Sequence, residues 1–316
     1  MITIGETGEY GVIEAIREVA PSARNGDDAA VLSMTTPNAR YVATTDMLIQ
    51  GRHFRCDWST PEHIGAKAAV QNFADVEAMG ARPTAILFGV SAPEDTPLDH
   101  IVGIARGLQD QCGRCAAEIV GGDVVGGDSL VISITAMGEL GGPARPLARS
   151  GARHGENVIA AGHIGHSAAG LALLRRFGSR AAVPYDLDEL VLAHLAPDFT
   201  YGRGPVARAA GAGSLTDNSD GLITDLNQIA TASNVAIDLD RDALAPDELL
   251  IRAGHVLDTN PWDWVLNGGE DHTLLGTIAG AQPDSFRIIG SVTRGQPGQV
   301  TLDGEKPWLR GGWVSF

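Results

Sequence analysis

The chain has 316 residues, 44% hydrophobic and 20% charged, the balance of a soluble globular protein with material for one large or two medium domains. Its 39 acidic and 23 basic side chains give a formal charge of −16, which repels nucleic acid and anionic membranes, so neither is expected as a partner. The N-terminus lacks the basic and apolar order of a signal peptide and no apolar run reaches membrane-span length, so the expected location is cytoplasmic.

In chain order, Ile13, Ile16 and Val19 fall near helical spacing and predict an amphipathic helix over 5–20. The β-branched run 41–49 predicts a strand. An Ala-rich, proline-free stretch over 62–80 predicts a helix that stops at Gly80, just before Pro83. A strand at 84–91 and a helix at 97–111 follow, then residues 116–120 lead into the cluster Gly121-Gly122-Asp123, and 129–140 form a long strand. Residues 141–151 combine Gly, Pro and Arg and mark a domain boundary near residue 145. Beyond it come a strand (157–161), helices at 166–178 and 187–195, and a polar cluster over 211–221. A helix to about 233, a strand at 235–239, a further helical stretch and strands near 273–278 and 286–292 complete the reading. The alternation predicts an α/β (α+β) protein of two domains, 1–145 and 146–316. Cys112 and Cys115 form an isolated C-x-x-C with no second pair to complete a zinc site, which reads as packing in or near a helix.

The familiar nucleotide signatures do not occur: there is no G-x-x-x-x-G-K-[ST] and no complete dinucleotide fingerprint. What recurs is aspartate beside small residues, in Gly26-Asp27-Asp28, Thr44-Thr45-Asp46, Asn72-Phe73-Ala74-Asp75, Gly122-Asp123, Asp217-Asn218-Ser219-Asp220-Gly221 and Gly269-Glu270-Asp271. Each alone is more often a turn or a helix cap. Asn72 and Asp75, three apart, share a face of a helix otherwise built from small apolar residues. Mg²⁺ takes octahedral oxygen ligation shared among carboxylates, water and phosphate, so dispersed carboxylates can reconcile an acidic chain with anionic ligands.

Taken in order, these clusters resemble the thiamine-monophosphate kinase family of the aminoimidazole-ribonucleotide-synthetase-like superfamily. The blocks that carry the resemblance are GETGEYGVIEAI at 5–16, GDDAAVL at 26–32, TTDMLIQGRHF at 44–54 and GAKAAVQNFADVEAMGARP at 65–83. They continue with IVGGD at 119–123, RSGARHGE at 149–156, HSAAGLALL at 166–174, DNSDGL at 217–222, GGEDHTLL at 268–275 and the terminal GGWVSF at 311–316. The match spans essentially the whole chain.

The resemblance implies a two-domain fold of that superfamily, with a mixed-sheet N-terminal domain and an α/β C-terminal domain. It implies several Mg²⁺ ions held by Asp28, Thr44, Thr45, Asp46, Asp75, Asp123, Asp217 and Asp220, and ATP contacted by Gly121, Gly122, Arg149 and Ser219. His53, Glu270 and Trp313 match positions that touch the thiamine moiety. No general base is implied. A homodimer built through the N-terminal domain completes the expectation. The sequence departs from the family pattern at Asn218, at Val124-Val125 and at His272-Thr273, none of which removes a metal carboxylate. Related synthetases acting on a ribotide, a carbamoyl group or selenide are the closest rivals; no Cys precedes Cys56, which disfavours the selenide branch.

Overall fold

The structure is a computed structural model that describes residues 2–24, 30 and 32–307. Its contacts divide the chain into two units, Met1–Val76 with Ala81–Ala144, and Glu77–Gly80 with Arg145–Phe316.

The first unit contains α1 (Ile4–Val19), β1 (Arg40–Ile49), most of α2 (Pro61–Ala78), β2 (Arg82–Ala92), α3 (Leu98–Cys115), β3 (Glu118–Gly126) and β4 (Val131–Leu140). Its sheet runs β1-β4-β2-β3, with β4 antiparallel to both neighbours and β2 parallel to β3. Thr3 starts α1 with a reciprocal cap: its hydroxyl accepts the Glu6 amide while its own amide donates to the Glu6 carboxylate at 2.9 Å. The buried residues of α1 are Ile4, Val12 and Ile16, so of the expected stripe only Ile16 is buried, and Gly8, at φ 72°, interrupts the helix. The α2–α3 packing depends on missing side chains. A Cβ on Gly65 would sit 2.0 Å from the Ile104 carbonyl oxygen, and one on Gly107 2.1 Å from that of Glu62.

β3 continues through Gly121-Gly122-Asp123, where the sequence reads a loop after residue 120. Pairing with β2 overrides the weak strand propensity of glycine. After a register shift at Ile86/Leu87 the two strands approach so closely that a Cβ on Gly122 would lie 1.8 Å from the Phe88 carbonyl oxygen.

The second unit contains β5 (Asn157–Ala161), α4 (His166–Phe177), α5 (Asp188–Leu195), α6 (Arg203–Ala209), β6 (Ser214–Asp217), α7 (Leu222–Ala232), β7 (Ala236–Leu239), α8 (Glu248–Leu257), α9 (Trp262–Asn267), β8 (Leu274–Ile278), β9 (Arg287–Thr293) and β10 (Val300–Leu302). Its sheet order is β10-β7-β9-β5-β8-β6, antiparallel except for β10 beside β7. Sequence patterning misses α6, α9, β6 and β10. All four residues of β6 are buried, so it shows no alternation, and the two helices are too short to display a period.

Glu77 is fully buried at the end of α2, where its two carboxylate oxygens accept the amides of Gly202 and Gly204, each at 2.7 Å, at the start of α6. Burial raises its pKa from 4.5 to about 7 against the opposing pull of those amides and of Arg203. A raised carboxyl pKa contributes stability that is full below the unfolded value and is lost as pH rises through the folded one. Urea unfolding of the wild type should therefore lose about 2–3 kcal/mol between pH 5 and 8 relative to Glu77→Gln. Identical pH slopes in the two proteins would show that Glu77 is not the titrating group.

Candidate functional site

In the first unit Thr44, Thr45 and Asp46 of β1 divide between the faces of the sheet, as strand alternation requires. Thr44 and Asp46 project on one face and are half-buried. The Thr44 hydroxyl donates to Oδ2 of Asp75, on α2, at 2.8 Å. Thr45 projects on the other face, where its hydroxyl donates to the Ile134 carbonyl (3.0 Å) and lies 3.1 Å from the Thr135 hydroxyl. Asn72, the neighbour of Asp75 in the helical pattern, is fully buried and donates to the Ala68 carbonyl at 3.0 Å. It braces the helix, and only Asp75 reaches β1.

The Thr45 face leads to a cavity of about 640 Å³ lined by Ile13, Ile16 and Arg17 of α1, Gly121, Gly122 and Asp123 of β3, and Ser133, Thr135 and Met137 of β4. Ile13 and Ile16 thus serve as cavity wall. Asp123 is exposed, and its Oδ1 accepts the amide of Val124 at 3.0 Å. His53 lies in the turn after β1, where its Nδ1 accepts the Ile49 amide at 3.0 Å. That bond fixes the neutral tautomer with the proton on Nε2.

In the second unit two short segments hold each other in place. The amides of Glu270 and His272 donate to the carbonyls of Ser219 and Asn218, each at 3.0 Å, and the Asn218 amide donates to the Thr273 carbonyl at 2.8 Å. Gly269 permits this contact, since a Cβ there would lie 2.1 Å from the Ser219 carbonyl oxygen. Glu270 (φ 63°) and His272 (φ 52°) both take the left-handed conformation, which side-chain-bearing residues seldom adopt. Their side chains are anchored on neighbouring elements. Glu270 Oε2 lies 3.6 Å from Nδ1 of the buried His194, and His272 Nδ1 lies 3.1 Å from Oδ2 of the buried Asp217. Between them, Asp271 accepts the amides of Gly165 (2.6 Å) and Ser167 (2.8 Å) at the start of α4. Burial raises its pKa to about 6.

The loop Asp217–Gly221 is braced from below. Oδ2 of the buried Asp225, in the first turn of α7, accepts the amides of Asp220 (3.1 Å) and Gly221 (3.0 Å). Burial first, and then the charges of Asp217 and Asp220, push its pKa up to about 8. Arg149 is exposed in a short turn, with Nε donating to the Thr216 hydroxyl at 3.2 Å.

Of the residues expected from sequence, Thr44 and Asp75 meet directly, while Thr45 turns to the opposite face. Ser219 and Glu270 meet through their backbones. Asp28 and Trp313 lie outside the described residues. The departures acquire roles: His272 reaches Asp217, and the Thr273 hydroxyl donates to the His163 carbonyl. Asp225 and His194 escape sequence reasoning, and Asp271 enters it only as part of the cluster Gly269-Glu270-Asp271, with no role given. The first carries a detectable signal, an acidic residue near a helix start able to reach back to orphan amides. Cys112 is fully buried, which pushes its thiol pKa up and removes the reactive thiolate.

Over residues 26–140 the chain matches the family model described as AIR synthase related protein, N-terminal domain. It is 56% identical over 315 residues to the thiamine-monophosphate kinase of Corynebacterium glutamicum, across 99% of this chain and 95% of that protein. Among solved structures it resembles the thiamine-monophosphate kinase of Stenotrophomonas maltophilia, with a TM-score of 0.82, 32% identity, and coverage of 94% of this chain and 96% of that one. It also resembles AaThiL complexed with AMPPCP and TMP, with a TM-score of 0.79, 30% identity, and coverage of 100% and 99%.

Proposed function

The chain belongs to the thiamine-monophosphate kinase family, with the AIR-synthetase-like fold, and from that premise we propose how its residues divide the work. The reaction is ATP-dependent transfer of a phosphoryl group to thiamine monophosphate, giving thiamine diphosphate and ADP. An oxygen of the acceptor phosphate forms the new bond to the γ-phosphorus as the bond to the β–γ bridging oxygen breaks, and ADP leaves. The acceptor needs no general base, because its second pKa of about 6 leaves it ionised at neutral pH. The barrier is repulsion between two polyanions, so positioning and neutralisation carry the catalysis.

The donor set fits Mg²⁺: Asp46 and Asp75 beside Thr44 in the first unit, and Asp217 and Asp220 in the second, offer oxygen alone. Asp28, Asp123 and the backbone of Thr45 are further candidates. When bound, Mg²⁺ supplies positive charge to the phosphate oxygens. Gly121 and Gly122, whose backbone lines the cavity, are assigned to ATP together with Arg149 and Ser219. His53 presents Nε2–H, Glu270 a carboxylate and Trp313 a ring suited to the cationic thiazolium. The observation that carries this assignment is the Thr44–Asp75 contact, which binds a helical carboxylate to the strand bearing Asp46.

The domain of residues 1–145 is assigned the dimer contacts and the first share of the Mg²⁺ and nucleotide contacts, and that of 146–316 contributes Asp217, Asp220, Arg149, Ser219, Glu270 and Trp313. Among the described residues no helix is long and apolar enough to cross a membrane, and we assign the chain to the cytoplasm. A homodimer is supported by an exposed apolar sheet face. Tyr41, Met47 and Ile49 alternate along β1 at 47%, 54% and 36% exposure, and the register Ile49–Val131–Ser91–Val125 puts Val125, 48% exposed, on the same face. A second copy seated on these residues would cover them beside the α1-lined cavity of the same face. Sedimentation showing monomer alone would remove that assignment.

The deciding assay incubates the chain with thiamine monophosphate, ATP and Mg²⁺ and follows thiamine diphosphate. Formation of the diphosphate, lost when Mg²⁺ is chelated, is the expected result. ATP binding without turnover, or turnover on a ribotide or carbamoyl acceptor instead, would overturn the reading.

A further inference from the structure

Outside the residues assigned to phosphoryl transfer, the second unit holds a cluster of different donor chemistry. His163 precedes α4, His166 opens it, and Asp247 caps the start of α8. One ligand atom from each lies within 4.8 Å of the other two. The two imidazoles stack with centroids 4.3 Å apart at 24°, and His166 Nε2 lies 2.6 Å from Asp247 Oδ2.

Asp247 and His166 are each held in place by contacts of their own. Asp247 uses Oδ1 for its cap, accepting the Leu250 amide at 3.0 Å, which turns Oδ2 toward His166. His166 is buried at 3% exposure, so its ring cannot swing out to solvent. Asp271 fixes the backbone between and after the histidines through the amides of Gly165 and Ser167. His163 is exposed, so its ring can turn to close the set. Both imidazoles line a cavity of about 360 Å³, so an ion between them is reachable from solvent.

Two imidazole nitrogens and one carboxylate suit zinc and its neighbours, whereas Mg²⁺ takes oxygen. Tetrahedral bonds of about 2.0–2.1 Å put donors about 3.3 Å apart, so the His166–Asp247 pair opens from 2.6 Å while rotation of the exposed His163 brings its nitrogen into the set. We propose that His163, His166 and Asp247 bind one divalent ion of the zinc class, with the fourth position open to water. The ion would tie the start of α4 to the start of α8, in place of the hydrogen bond between His166 and Asp247.

The test uses the tag-free full chain, stripped with chelator and titrated with Co²⁺. The expected result is a visible absorption of non-octahedral cobalt that saturates at one equivalent and is displaced by Zn²⁺. It disappears in His163→Ala, an exposed position, and in Asp247→Ser, which keeps the helix cap while removing the carboxylate. It persists in Asp46→Asn, outside the cluster. Zn²⁺ at a hundredfold excess over Kd should raise Tm by roughly 5 °C in the wild type and leave both cluster variants unmoved. Absence of the cobalt band at millimolar Co²⁺, or a band that survives in both cluster variants, would overturn the proposal.

Discussion

Asp75→Asn is expected to lower kcat by roughly 10²–10³-fold at saturating ATP and Mg²⁺, with little change in Tm. The substitution keeps shape and helix propensity. Asn Oδ1 can still accept the Thr44 hydroxyl that now donates to Asp75 Oδ2 at 2.8 Å, so the α2–β1 contact survives. What disappears is one negative charge, half-buried, on a helix whose neighbours are alanine, valine and phenylalanine. If Asp75 holds a cation against the transferring phosphoryl group, the lost charge weakens that grip most in the transition state. Asp46→Asn should behave alike, since Asp46 shares the sheet face of Thr44. Measuring kcat beside a melting curve separates the charge effect from unfolding. A wild-type rate in Asp75→Asn would remove this carboxylate from the machinery.

The same two residues show how far a sequence can be read. Asp75 stands out because a solvated face explains an aspartate less easily on a helix of small apolar residues, and Asp46 because it follows two threonines within a β-branched run. The long elements α2, β2, α3 and β4 were legible for a related reason: length lets a period or an apolar run rise above noise. Thr45 shows the limit. Thr44-Thr45-Asp46 reads as one cluster, yet alternation sends the middle side chain to the opposite face, toward Thr135. β3 shows another limit, because nothing local distinguishes a glycine pair in a loop from one in a strand. The 1.8 Å approach of Phe88 to a Cβ on Gly122 is a tertiary fact. The resemblance to a family supplied most of the site. It did not supply the bracing residues, Asp225, Asp271 and His194, whose partners lie on other turns and helices.

Asp225 makes that difference measurable. Its Oδ2 alone accepts the amides of Asp220 and Gly221, while its Oδ1 is buried with no hydrogen-bond partner among the described residues. Asp225→Ala leaves two amides unsatisfied at the mouth of α7, at a cost of about 2–4 kcal/mol. The loop carrying Asp217, Ser219 and Asp220 then loses its floor, and a displacement near 1 Å there should lower kcat by about 10²-fold. Asp225→Asn should retain both bonds through Oδ1 and lose no partner of the other oxygen, so stability and kcat should stay close to wild type. The contrast separates the two ways an aspartate could matter in DNSDGL-IT-D. A carboxylate needed for its charge fails equally as Asn and Ala; one needed to hold a turn fails only as Ala. Urea unfolding and kcat for the two variants decide between them. A collapse of activity in Asp225→Asn with unchanged stability would make Asp225 a further ligand, and its capping bonds incidental.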